Sequence, residues 1–233
     1  RDAIRRFIHI STSEVYGTAR ADRMAEDHPL EPMSPYAAAK AGADRLVYSY
    51  VQTYNIPAVI IRPFNMYGPN QHPEKVTPRF ITSLLMGEPM TVHGGGGSLR
   101  DFTYVEDLAR ALQLVLEAPA GAIEGEVFNV GNGIATSVSE IADLIEKHVP
   151  AYVALPGGRE WRRNVGDRPG QVAKHQANSD KIRERLGWKP AVTLEEGVKR
   201  TIEWYVANRP WWERKLLMRH VPIETAKGKI ELQ

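Results

Sequence analysis

Two short apolar runs, Phe7-Ile8-His9-Ile10 and Ala58-Val59-Ile60-Ile61-Arg62, bracket a stretch over 34–54 that reads as one long helix. A buried strand, a helix and a second buried strand in that order restrict the chain to a parallel α/β sheet with helices on its faces. The first strand is expected over 7–12 and the second over 58–62. Ser34 is the N-cap of the intervening helix and Pro35 its first residue. Helical patterns recur over 78–86, 105–117, 138–148, 180–186 and 194–208, and strand patterns over 90–93, 102–105 and 127–130. From about Pro63 the connections lengthen and fill with proline and glycine, which predicts a second, irregular lobe joined to the sheet. Gly94 to Gly97 is too short between strand patterns to be a linker and reads as a turn.

The 233 residues are 42% hydrophobic and 25% charged, enough apolar material for one sizeable domain with a small lobe. A net charge of +2 supplies no overall field for nucleic acid. No apolar run reaches the roughly 20 residues a membrane helix requires. The absence of cysteine excludes disulfides and thiolate metal sites and fits a cytoplasmic protein. The seven histidines (9, 28, 72, 93, 148, 175 and 220) show no paired metal-ligand spacing, so no metal site is expected and most read as surface or core residues.

Two motifs fail on inspection. Gly131-x-Gly133 follows a strand and precedes a helix like a dinucleotide-binding turn. Thr136 holds the third glycine position, however, and no acidic residue follows at about 20 residues. It reads as a loop leading to a Ser- or Thr-capped helix over 138–148. Gly96-Gly97-Ser98-Leu99-Arg100 misses the nucleophile elbow, because Arg100 stands in place of its second glycine.

Chemistry concentrates in two segments. "STSEVYG", residues 11–17, sets three hydroxyls and a carboxylate at the end of the first strand. "SPYAAAKAGADRL" puts Tyr36 and Lys40 four residues apart, on one face of a helix. An ammonium beside a phenol favours phenolate and brings tyrosine toward the range of a general base. The pair alone is weak evidence. Its order is informative: strand, "STSEVYG", Ser-Pro-capped helix, then a strand ending in "RPFNMYGP".

In that order the motifs resemble the extended short-chain dehydrogenase/reductases, and within them the NAD-dependent nucleotide-sugar epimerases, dehydratases and decarboxylases. "NQHPEKVTPRFI", "SLRDFTYVEDLARAL", "EVFNVGN", "GDRPGQ" and "LGWKP…TLEEGVKRTIEWYVANRPWW" extend the likeness over nearly the whole chain, most strongly to the second half of the dTDP-glucose 4,6-dehydratase branch. The resemblance implies a partial Rossmann-type parallel sheet with a smaller irregular C-terminal substrate lobe. Residues 1–62, with returning segments near 101–130, would belong to the NAD-binding part, 63–100 and 131–210 to the substrate lobe, and 211–233 to a tail.

It also implies roles. Tyr36 would take the proton from the sugar 4-hydroxyl, Lys40 would lower the tyrosine pKa and hold the nicotinamide ribose, and Thr12 would hydrogen-bond the same hydroxyl. Ser11 and Pro63 would line the cofactor. Glu14 would remove the C5 proton once C4 is a ketone, which points to dehydratases or decarboxylases; the epimerases resemble small hydroxyl residues there. Ser13 departs from the Asp-Glu pair of the dTDP-glucose branch and leaves open which group protonates the departing C6 oxygen. Asn65 would meet the sugar or its phosphate. Lys75, Arg100 and Arg168 would grip the diphosphate, a task suited to guanidinium forks, while Arg159, Arg162 and Arg163 would face solvent. His93 stands where that branch carries a tyrosine against the base, and Gln171 where it carries histidine.

The implied partner is a nucleotide-diphosphate sugar, with neither nucleic acid nor membrane. Homodimers in the family form through the Tyr–Lys helix and the helix before it, of which only the former is present. The family's strand–GxxGxxG–helix and its ribose-binding acid are also not in this sequence. The chain is therefore expected to leave one sheet edge unpaired, to bind NAD poorly and to fold poorly by itself. The implied activity is nucleotide-sugar 4,6-dehydration. UDP-glucuronate decarboxylation, 4-epimerisation and a non-catalytic fragment are the alternatives.

Overall fold

The computed structural model describes residues 4–167 and 172–216, together with the backbone of 222–224 and 230–232. In chain order the first elements are β1 (Phe7–Ile10), α1 (Pro35–Tyr54), β2 (Ala58–Pro63), β3 (Asn65–Tyr67), α2 (Val76–Leu85), β4 (Met90–His93) and β5 (Leu99–Tyr104). They are followed by α3 (Val105–Glu117), β6 (Val127–Val130), β7 (Ala135–Ser137), α4 (Val138–His148), β8 (Arg162–Val165), α5 (Asp180–Leu186), α6 (Leu194–Ala207), α7 (Arg209–Glu213), β9 (Pro222–Glu224) and β10 (Ile230–Leu232). The chain divides into two compact units, one formed by 1–66, 100–135 and 172–191, the other by 67–99, 136–171 and 192–233. The segment 172–191, read from sequence as part of the second lobe, thus packs with the first unit.

The first unit is built on a parallel sheet of order β1-β2-β6, with Ile8 opposite Val59 and Ile61 opposite Phe128. The central strand β2 is buried on both faces, which explains its unbroken apolar run. Its alternate residues Val59 and Ile61 pack with Phe128 and Val130 of β6, Ala111 and Val115 of α3, Ile182 of α5 and Trp188. α1 lies against β2 as well. It starts where expected, with Ser34 Oγ accepting from the Ala37 amide at 3.1 Å, and ends at Asn55 in the left-handed conformation.

β1 is shorter than expected and stops at Ile10. Beyond it Thr12 turns to accept the Glu14 amide at 3.2 Å and caps a 3-10 helix over Ser13–Tyr16. Gly17 closes that turn at φ 71°, where an added Cβ would lie 2.1 Å from the Glu31 carbonyl oxygen. Glycine is mandatory there on two grounds.

A buried polar network locks this turn. Arg62 of β2 donates to both carboxylate oxygens of Asp44 on α1, at 2.8 and 2.9 Å, and to the Tyr16 hydroxyl at 2.9 Å. The Tyr16 hydroxyl donates in turn to Asn129 of β6 at 2.7 Å. Burial alone would raise the Asp44 pKa, but the hydrogen bonds and charge of Arg62 hold it down at about 2. Burial pushes the Tyr16 hydroxyl up to about 12.

The Gly131-x-Gly133 loop has a structural explanation. Buried Asp101 accepts from the amides of Asn132, Gly133 and Ala177 at 2.9, 2.8 and 3.1 Å. A Cβ on Gly131 would stand 2.4 Å from the Ala177 Cβ, so that glycine allows the close approach of two backbones. The helix cap foreseen after it is a full capping box of Ser137 and Glu140.

In the second unit α2 is buried nearly all round, and α4 and α6 pack on it. α2 begins at Val76, two residues before the pattern suggested, because a proline in the first helical turn lacks only an N–H that would have no partner. β4 pairs in parallel with β8, a strand too polar (RRNV) to be legible in sequence. β8 corrects one expectation. Arg162, read as solvent-facing, donates to Glu146 at 2.7 Å and to Asp143 at 2.5 Å on α4. Arg163 is exposed, and Arg159 stacks over the Trp161 ring at 5.0 Å. Gly94–Gly96 forms a short 3-10 turn, and β9 and β10 pair antiparallel. Among the described residues no helix is long and apolar enough to cross a membrane, and no group of three or more His, Asp or Glu could hold a metal ion.

Candidate active site

The residues singled out at the end of β1 converge with α1 in the first unit. Val15 and Tyr16 of the 3-10 turn share one buried cluster with Ala41, next to Lys40 on α1, with Phe64 just after β2, and with Ala177. That packing sets the STSE turn, the Tyr–Lys helix and the end of β2 around one locus. Lys40 ties the helix to the strand that leads into that turn, its ammonium donating to the carbonyl of Ile10, the last residue of β1, at 2.6 Å. Tyr36, on the first turn of α1, is 60% exposed. Ser11 is buried at the strand end, tied by its amide to the Ile61 carbonyl at 2.8 Å, and Pro63 closes β2 beside it. Asn65 opens β3 two residues on.

Glu14 and Ser13 face a residue whose importance is not visible from sequence. His175 is fully buried, with Nε2 2.7 Å from the Gly17 carbonyl oxygen, Nδ1 3.4 Å from Ser13 Oγ and Nδ1 3.9 Å from a Glu14 carboxylate oxygen. Burial pushes the His175 pKa down, Glu14 and the Gly17 carbonyl push it back up, and Arg100 and His28 oppose them; the net direction is downward. The ring is therefore neutral near pH 7, and its approach to Glu14 is not an ion pair. It lies 162 residues from Ser13 in the chain, so no local motif could have linked the two.

The other expected residues are distributed as follows. Arg100 begins the first unit's share of β5 and is half-buried. Lys75 and His93 belong to the second unit. Lys75 is exposed at the N-terminus of α2, 3.3 Å from Glu74, and buried His93 donates from Nδ1 to the Gly166 carbonyl at 3.1 Å. Arg168 and Gln171 lie outside the described residues.

A parallel βαβ sheet whose strand end carries Thr-Ser-Glu and whose next helix carries Tyr-x-x-x-Lys defines an extended short-chain dehydrogenase/reductase. The family model described as GDP-mannose 4,6 dehydratase matches residues 1–201, and the chain belongs to that family. It is 40% identical over 213 residues to a dTDP-glucose 4,6-dehydratase of Streptomyces niveus, an alignment covering 91% of this chain and 61% of that one. The chain thus spans about three fifths of the length of the curated relatives it matches. Among solved structures, a dTDP-glucose 4,6-dehydratase of Streptomyces venezuelae with NAD bound superposes with a TM-score of 0.83 at 36% identity, covering 91% of this chain and 63% of that one. A UDP-glucuronic acid 4-epimerase of Bacillus cereus, in complex with UDP-glucuronic acid and NAD, gives 0.79 at 32% identity over 88% of this chain and 62% of its own.

Proposed function

We propose that this chain carries the catalytic residues and part of the substrate lobe of an NAD-dependent nucleotide-sugar 4,6-dehydratase. The observation that carries the reading is Glu14, a carboxylate on the turn after β1, whose neighbours Val15 and Tyr16 share one buried cluster with Ala41 of the helix that bears Tyr36 and Lys40. A 4-epimerase has no use for a base at that place.

The donor set fits the nicotinamide half of NAD. One of the three Lys40 ammonium hydrogens is engaged by Ile10, which leaves two for ribose hydroxyls. Ser11, Thr12 and Pro63 lie at the carboxyl ends of parallel strands, where such sheets bind their ligands. When bound, NAD supplies the acceptor for the hydride leaving C4 and returns it at the end of the cycle.

The chain's own residues manage the protons. Tyr36 takes the proton of the 4-hydroxyl and Thr12 orients that hydroxyl. With C4 a ketone, the C5 hydrogen is acidified and Glu14 removes it, so that the C6 oxygen departs. Asn65 holds the sugar or its phosphate. By the family resemblance alone, Arg100, Lys75, Arg168 and His93 are assigned to the nucleoside diphosphate. A second reading, UDP-glucuronate decarboxylation, is favoured by Ser13, which places a hydroxyl where a dehydratase of the dTDP-glucose type has an acid.

Incubating the full gene product with a panel of nucleotide sugars and NAD, followed by mass spectrometry, separates the two. Loss of water from a nucleotide hexose supports the dehydratase, and loss of carbon dioxide from UDP-glucuronate replaces it with the decarboxylase.

A further inference from the structure

We infer that His175 is a positioning residue that returns the proton collected by Glu14 to Ser13, making the serine hydroxyl competent to protonate the departing C6 oxygen. The inference rests on the dehydratase reading and fills the gap that Ser13 leaves in it.

The geometry begins with the tautomer. A carbonyl oxygen can only accept, so the 2.7 Å contact to Gly17 requires the hydrogen on Nε2. Nδ1 then carries a lone pair, and the two groups nearest it are Ser13 Oγ and the Glu14 carboxylate, at 3.4 and 3.9 Å. A carboxylate offers that lone pair no hydrogen, but a carboxylic acid does. Nδ1 is therefore an acceptor for Glu14 only after Glu14 has taken a proton. Catalytic hydrogen bonds are often long without substrate and tighten once it is in place.

The ring is also packed in place. Phe64 meets it edge to face at 6.3 Å between centroids. The two residues that follow it are anchored: the Met24 amide donates to the Gln176 carbonyl at 2.8 Å, and Asp101 accepts from the Ala177 amide. A histidine that only filled space would need no such alignment of one nitrogen on two reactive side chains.

A serine hydroxyl is by itself too weak an acid for the task. The relay solves this without an added reactant. Glu14 removes the C5 proton, and the C5–H electron pair is held as the enolate of the C4 ketone. The Glu14 carboxyl proton moves to Nδ1 of His175. Nδ1 hands it to Ser13 Oγ as Ser13 gives its hydroxyl hydrogen to the C6 oxygen, the enolate pair becomes the C5–C6 π bond, and that oxygen leaves as water. All three groups end the elimination as they began, and the proton C5 takes when the hydride returns is balanced by the one Tyr36 took from the 4-hydroxyl. The neutral resting state of His175 is the one the relay requires.

The test uses the full gene product. His175→Asn keeps a hydrogen-bonding atom near the Nδ1 position but cannot carry a proton. It is expected to lower kcat for water loss about 10²-fold, to leave KM within about twofold, and to add no further loss in a Ser13→Ala background. His175→Gln, which preserves the reach to Gly17, serves if the asparagine variant does not fold. Nitrogen NMR of the unsubstituted protein, needing no variant at all, should find the hydrogen on Nε2. A folded variant with unchanged kcat, fully multiplicative losses with Ser13→Ala, or the Nδ1–H tautomer each overturns the relay while leaving the dehydratase reading intact. Absence of water loss from the unsubstituted enzyme overturns the reading itself.

Discussion

At the scale of single residues, the division of labour between Glu14 and Tyr36 makes distinct predictions. Glu14→Gln removes the base for C5 and nothing needed at C4. It should abolish water loss by about 10²–10⁴-fold while still forming the 4-ketone, trapped as deuterium at C4 after borodeuteride reduction. Tyr36→Phe should eliminate both steps, and deuterium uptake by that variant would show that the phenol is not the C4 base. Both residues were nominated from sequence on short spacings: a turn of seven residues and a helical i,i+4 pair. His175 was not, since its meaning comes from a packing contact across 162 residues of chain. Arg162 was misread for a related reason. Four arginines near one another look like a solvated face until a strand aligns one of them with the carboxylates of α4.

Elements were legible in proportion to their hydrophobic period. α3, α4, α5 and β6 fall where their patterns predicted, because each presents an apolar stripe or run and a recognisable end, and α1 does so on its Ser-Pro start. β3, β7 and β8 are three- or four-residue strands with little apolar content, and only their pairing makes them strands. The join between α1 and β2 rests on Asp44 and Arg62, a pair that propensity arguments do not reveal. The Asp44 pKa is held down at about 2 against an unfolded value of 3.8. A carboxyl depressed on folding stabilises above its unfolded pKa, and that contribution is lost as pH falls through the folded one. The full gene product should therefore lose about 2 kcal/mol from this group between roughly pH 4 and 2, read from urea midpoints. Asp44→Asn leaves the buried guanidinium without its counter-charge. It should cost about 3–5 kcal/mol at pH 7 and flatten the acid dependence, and an unchanged midpoint would remove the network from any account of how the turn is held.

For the whole molecule, the outer strand of the first unit's three-stranded sheet has the most consequence. β1 pairs on one side with β2, and in this chain Phe7 and Ile10 remain 45% and 39% exposed. On the neighbouring helix α1, Leu46, Tyr50 and Tyr54 are exposed as well. An apolar strand with open backbone groups is a template for further pairing, and proteins ordinarily blunt it with charge. The 233-residue chain expressed as it stands should consequently self-associate, its apparent mass by light scattering rising with concentration. Phe7→Lys with Ile10→Lys should suppress that rise, whereas Leu46→Lys on the helix should suppress it only if α1, and not the strand, is the contact. The same edge bears on the cofactor. Lys40 reaches the last residue of β1, so any partner strand that fixes β1 also fixes the ammonium that would hold the ribose. Calorimetric titration with NAD should accordingly give weak binding for the bare chain and tighter binding for the full gene product. Equal affinity in the two would mean that the residues from Ser11 to Lys40 and the end of β2 are sufficient to hold the nucleotide on their own.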